Sequence, residues 1–155
     1  MITFVRTNSA NKDFQHLVTA LDKELAIRDG EDHSFYAQFN KIDTLKHVVV
    51  AFDNNIAVGC GAFKDYTSDI AEIKRMFVPA PKRGQGIASM LLKELEDWSR
   101  ELHFKKCILE TGINQPEAIR LYTKNNYEII PNYGQYENIE NSICFEKNLT
   151  ENIML

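Results

Sequence analysis

The feature that most constrains this chain is a junction near its middle. A strand-like run over residues 71–78 (AEIKRMFV) is stopped by Pro79 and Pro81, neither of which can donate to a β-ladder. The turn that follows, Arg83-Gly84-Gln85-Gly86-Ile87-Ala88, leads straight into the strongest helical pattern in the chain, residues 86–102. There Ile87, Met90, Leu91, Leu95 and Trp98 form one apolar stripe, with Lys93, Glu94, Glu96 and Asp97 placed mostly elsewhere. The first N–H groups of a helix have no partner inside it, and the helix dipole adds partial positive charge at the same end. A phosphate or pyrophosphate fits such a place. Gly84 and Gly86 let backbone approach a ligand, Ala88 is small, and Arg83 adds a charge. Taken alone, the turn also reads as a plain strand–helix corner. A dinucleotide turn would need a third glycine, and GxxxxGK[ST] is absent, which excludes Walker-type nucleotide binding.

Around this junction the chain alternates strands and helices. Residues 2–6 read as a strand. Residues 11–28 carry Phe14, Leu17, Val18, Leu21 and Leu25 at helical spacing and end at Asp29-Gly30. Residues 31–45, with Phe35, Tyr36 and Phe39, read as a short helix and loop. KHVVVAF at 46–52 and the run 56–66 flank Asp53-Asn54-Asn55 and predict an antiparallel hairpin. Residues 105–110 (KKCILE) form a buried-type strand, Pro116 opens another helix, and 127–130 and 142–146 are the last strands. The class is mixed α/β, with an antiparallel N-terminal part and a strand–turn–helix–strand unit in the middle. Length and the lack of repeats or linkers predict a single domain over 1–155.

Composition narrows the function classes. A net charge of −4 lacks the basic footprint of a nucleic-acid binder. Lys74, Arg75, Lys82 and Arg83 are close in sequence and suit a small anionic ligand better than a polynucleotide, or else form a solvated patch. No run of 18 apolar residues predicts a membrane helix, and the N-terminus lacks a signal-peptide layout. Cys60, Cys107 and Cys144 are odd in number and without CxxC spacing, which predicts buried thiols in a reducing cytoplasm. His16, His33, His47 and His103 have no ligand spacing, so no metal is expected.

Residues 78–92 (VPAPKRGQGIASMLL) resemble the acetyl-CoA motif of the GNAT superfamily of N-acetyltransferases, with Arg83, Gly86 and Ala88 filling its Arg/Gln-x-x-Gly-x-Gly/Ala pattern. The strand at 71–78 is similar to that family's central strand. A second segment, QPEAIRLY at 115–122 followed by Asn126-Tyr127, resembles the family's Asn-x-x-Ala-x-x-Leu-Tyr-x-x-x-Gly-Phe. The resemblance implies an α+β fold: a mixed, mostly antiparallel sheet, splayed between its two middle strands and flanked by helices. It implies acetyl-CoA as co-substrate. The backbone of Met76, Phe77 and Val78 would pair with the pantetheine amides, and the N–H groups of Gly84, Gln85, Gly86, Ile87, Ala88 and Ser89 would hold the pyrophosphate. Two positions depart from the pattern. The usual cofactor-holding Asn is Gln115, which keeps the amide on a longer arm. The usual Gly is Asn126, the best non-glycine residue for positive φ.

Acetyl transfer to an amine needs a proton acceptor, a polarised thioester oxygen and a proton for the departing sulfur. Tyr122 resembles the family's general acid; its alternative is a core aromatic. A backbone N–H near Phe77 or Val78 would serve the oxyanion. Glu72 and Glu110 both match catalytic glutamates of family members, with Glu72 slightly favoured as base; either is alternatively an exposed strand-end charge or pairs with Lys74 or Arg75, and a water chain can carry the proton in their place. In the family, the regions of His33 and Tyr36, and of Tyr133 and Tyr136, border the acceptor; a surface histidine at His33 and a packed turn at Tyr133 and Tyr136 are the alternatives. The reading is an N-acetyltransferase acting on a primary amine, preferably of a small molecule, by direct transfer. Protein or peptide N-acetylation, and a non-catalytic acyl-CoA-binding or interaction module, are the alternatives. Dimers are common in the family, so a homodimer is also an expectation.

Overall fold

In the computed structural model, residues 1–29 and 44–150 are described. The elements follow in the order β1 (Ile2–Thr7), α1 (Lys12–Asp29), β2 (His47–Asp53), β3 (Ile56–Asp65), β4 (Ile70–Phe77), a 3-10 turn (Ala80–Lys82), α2 (Ile87–Glu101), β5 (Lys106–Gly112), α3 (Pro116–Lys124), β6 (Glu128–Ile130), a second 3-10 turn (Gly134–Tyr136) and β7 (Ser142–Asn148). The seven strands are ordered β1-β2-β3-β4-β5-β7-β6. Pairings β1/β2, β2/β3, β5/β7 and β6/β7 are antiparallel, and β4/β5 is parallel. This is the mixed, mostly antiparallel sheet expected of an α+β fold. The expected helix and loop at 31–45 falls largely outside the described residues.

The chain forms two compact units, with β4 and α2 each contributing to both. The first comprises the described residues of 1–64 and residues 73–95. Its core gathers Phe14, Leu17, Val18 and Leu21 of α1 with Val48, Val50, Cys60, Ala62 and Phe77 of the sheet. The hairpin turn carries Asn54 and Asn55 at φ of 52° and 70°, the left-handed pair that matches strand twist. Gly59 and Gly61 of β3 leave room for β4 and α2. A Cβ on Gly59 would sit 3.2 Å from the Phe77 carbonyl oxygen, and one on Gly61 would sit 2.6 Å from the Met76 sulfur.

The second unit comprises residues 65–72 and the described residues from 96 to 150. Cys107, Leu109, Tyr122, Tyr127, Phe145 and Leu149 are buried in it. The α2 stripe differs from its sequence reading at two positions. Met90 is exposed, while Glu96 is buried and accepts hydrogen bonds from the Tyr127 hydroxyl (2.9 Å) and Lys147 Nζ (2.9 Å). A carboxylate enters a core when its charge is paired and hydrogen-bonded, and spacing along one helix cannot announce that partner.

Candidate active site

In the first unit, β4 delivers the chain to the glycine turn. Phe77 and Val78 bury their side chains, leaving the backbone as the part of this segment that can meet a ligand. Met76 is half-buried. Gly84 and Gly86 stand at φ of 82° and 80°, with open space where a Cβ would point. The need for glycine here is therefore conformational: the left-handed region costs other residues about 1–2 kcal/mol. The first helical bond runs from Met90 N–H to the Gly86 carbonyl at 3.1 Å. Among the described residues, the N–H groups of Gly84, Gly86, Ile87 and Ala88 meet no protein acceptor. Ile87 turns its side chain into the core, and Ala88 and Ser89 are half-buried. A row of outward amides at a helix start fits a pyrophosphate.

Arg83 is engaged differently from its sequence reading. Its Nη2 donates to both Glu24 carboxylate oxygens at 2.8 Å, its Nε donates to the Val78 carbonyl at 2.8 Å, and its guanidinium lies 5.8 Å from the Phe77 ring centre. It braces the turn against α1. Arg75 is similar: it is 3% exposed and its Nη1 lies 2.8 Å from Asp22 Oδ1. Arg75 also takes φ of 58°, a left-handed break within β4. Thus two of the four clustered cations answer carboxylates of α1, which sequence proximity did not reveal.

The second unit holds the candidate acid and base groups. Glu72 opposes Ile108 in the parallel ladder, and among the described residues the β4/β5 register ends at that pair. Paired residues share a sheet face and every second residue repeats it, so Ile108, Glu110 and Glu72 lie on one face. Cys144 pairs with Glu110 and joins them. Glu72 is only 3% exposed and accepts a 2.7 Å hydrogen bond from the Tyr133 hydroxyl. Glu110 is half-buried and accepts one of 2.6 Å from Ser142 Oγ. Tyr136 is buried, and burial followed by the charges of Glu110 and Glu72 pushes its phenol up. Both carboxylates thus act on one ring. Tyr133 stands edge-on to Tyr66 (5.2 Å) and Tyr136 (5.8 Å). Neither Tyr66 nor Ser142 carries a motif that would single it out in the sequence.

Tyr122 lies on α3, whose end fixes it. Tyr127 N–H donates to the Tyr122 carbonyl (3.0 Å) and Asn126 N–H to that of Thr123 (3.2 Å). Asn126 takes φ of 72°, so the segment closes as a Schellman cap with asparagine in the glycine position. The accompanying contact is Tyr122 on Tyr127, centroids 5.7 Å apart. Tyr122 is 6% exposed, and its hydroxyl has no hydrogen-bond partner among the described residues. Burial, then the charge of Glu110, pushes that phenol up, so it stays protonated at neutral pH. Gln115 caps α3 with its backbone only; its side-chain amide has no protein partner among the described residues. His33 and Tyr36 lie outside the described residues. Among those described, no group of His, Cys, Asp and Glu is arranged to hold a metal.

The sequence profile of the acetyltransferase (GNAT) family matches residues 13–127. The chain belongs to the GNAT family. Its enzyme class is accordingly that of an acyltransferase, an N-acetyltransferase. The IAA acetyltransferase of Azospirillum brasilense is 36% identical over 102 residues, covering 65% of this chain and 67% of that protein. The uncharacterized N-acetyltransferase YjgM of Escherichia coli K12 is 36% identical over 85 residues, 53% of this chain and 50% of that protein. Among solved structures, one from Klebsiella pneumoniae assigned to the acyl-CoA N-acyltransferases has a TM-score of 0.79 at 30% identity, covering 96% of this GNAT chain and 98% of its own. An Elizabethkingia anophelis GNAT acetyltransferase, with acetyl-CoA bound, shares the fold at TM-score 0.66 and 19% identity, covering 95% of this chain and 97% of that one.

Proposed function

We propose that this GNAT chain transfers the acetyl group of acetyl-CoA to the primary amine of a small molecule, directly, in a ternary complex. The observation that carries the cofactor is the row of outward N–H groups from Gly84 to Ala88, set by two left-handed glycines. These amides hold the pyrophosphate, with the backbone of Met76, Phe77 and Val78 in the same unit as further contacts. Acetyl-CoA supplies the thioester whose acetyl carbon the amine attacks. Glu72, with Glu110 on the same sheet face, takes the proton that the amine gives up. Tyr122 donates its phenolic proton to the sulfur as the C–S bond breaks. The buried Tyr122 hydroxyl, with no hydrogen-bond partner among the described residues, is costly unless a bound group uses it. Tyr133 and Tyr136 wall the acceptor side.

Direct transfer is supported by the state of the cysteines, the side-chain type a covalent acyl route would use. Cys60, Cys107 and Cys144 are free and buried, and burial pushes their thiols up to about 12, about 12 and about 11. Such thiols stay protonated and make poor nucleophiles; they also suit a reducing cytoplasm. The test is calorimetric titration with acetyl-CoA, followed by a thiol-release assay over panels of small amines and peptides. Binding with turnover on small amines is the expected result. Turnover on peptides alone would move the acceptor to proteins, and absence of binding would overturn the reading.

A further inference from the structure

The loop between β6 and β7 is braced from within. Asn132 Nδ2 donates to the carbonyls of Ile139 (3.0 Å) and Ser142 (3.1 Å). Tyr136 N–H donates to the Tyr133 carbonyl (2.9 Å), and Ile139 N–H to that of Tyr136 (3.1 Å). Gly134 turns the chain at φ of 54°, where a Cβ would stand 3.2 Å from the Tyr66 hydroxyl. The product of this bracing is a fixed direction for one ring. Tyr133, held edge-on by Tyr66 and Tyr136, delivers its hydroxyl to Glu72 Oε2 at 2.7 Å.

We propose that Tyr133 is a positioning residue for the reaction, with the braced β6–β7 loop as its mount and the Glu72 carboxylate as the group it orients. This rests on Glu72 being the proton acceptor and adds the device that aims it. A carboxylate on a strand has free rotation about its last bond unless something holds one oxygen. A charge-assisted hydrogen bond from a packed phenol does so, and a base aimed wrongly by a fraction of an ångström loses rate. Among the described residues, Glu110, Tyr136 and Cys144 are further ionisable groups gathered here.

A double-mutant cycle on the full chain tests it. Tyr133→Phe keeps the ring contacts and removes only the hydroxyl. It should lower kcat about tenfold, the scale of a hydrogen bond to a charged group, and leave the KM for acetyl-CoA unchanged. In a Glu72→Gln background the same change should have little further effect, because Tyr133 acts through Glu72. Equal factors in both backgrounds, or a rise in KM for acetyl-CoA in place of a fall in kcat, would overturn the proposal and leave the acetyl-transfer reading standing. A wild-type chain with no turnover on any amine would instead overturn that reading and the positioning role with it. Ultraviolet titration gives a readout independent of turnover. Wild type minus Tyr133→Phe should reveal a tyrosine that ionises above the ordinary range, and Glu72→Gln should bring it down; an ordinary midpoint for Tyr133 contradicts the hydrogen bond.

Discussion

Single residues decide the chemistry here, and two of them give separable outcomes. Tyr122→Phe removes a hydroxyl that no described protein group uses, so the fold loses little. Turnover should fall at least tenfold while acetyl-CoA affinity by calorimetry stays within about twofold, as expected when one proton donor is lost from the transition state. Unchanged turnover would remove Tyr122 from the acid role. Gly86→Ala acts through backbone. At φ of 80°, alanine is strained although space for its methyl is open. The substitution should cost about 1–2 kcal/mol of stability and weaken acetyl-CoA binding, read by thermal melting and calorimetry. At this scale the sequence was informative where conformation is intrinsic. Asn126 was readable as a positive-φ residue, and φ is 72°. The partner of Glu72 was not readable, because Tyr133 lies far along the chain and meets Glu72 only through the fold.

At the scale of elements, α1 does more than cover the sheet. Its Asp22 and Glu24 take the guanidinium groups of Arg75 and Arg83, the two cations nearest the break in β4 and the glycine turn. Arg75 is nearly sealed, whereas Asp22 is half-exposed. Asp22→Asn should therefore cost about 1–2 kcal/mol, less than a fully buried pair because solvent reaches one partner. Urea denaturation would measure it; a change under about 0.3 kcal/mol would mean the pair contributes nothing. The elements themselves were legible from periodicity and turn residues: Pro79 and Pro81 end β4's pairing, and Pro116 starts α3. The charge partners were not, since spacing along one element carries no record of the next. That is also why Glu96 reads as solvated in sequence and is buried in the structure.

At the scale of the whole molecule, the cysteines tie stability to pH. Their folded thiols are pushed up to about 11–12, whereas in the unfolded chain they ionise near the ordinary thiol value of 9.0. Between those limits only the unfolded state sheds the protons, so stability is intact below about pH 9 and falls as pH rises toward 12. Thiol labelling at pH 8 should be slow in the native chain and fast in denaturant, and intact mass after acetyl-CoA turnover should show no acetylated enzyme. Rapid native labelling or an acetyl adduct on cysteine would reopen a covalent route.

By itself the sequence determined the order and type of the described strands and α-helices, the tight turn at Asp53-Asn54-Asn55, the positive-φ position at Asn126, and the family. These follow from periodicity, backbone preference and local motifs, all written within a few residues. The tertiary structure alone decided that Arg83 and Arg75 answer α1, that Glu72 and Glu110 share a face, and that Tyr133 holds Glu72. Each of those joins residues distant in the chain, and only the pairing of strands and the packing of helices brings such groups within hydrogen-bond reach.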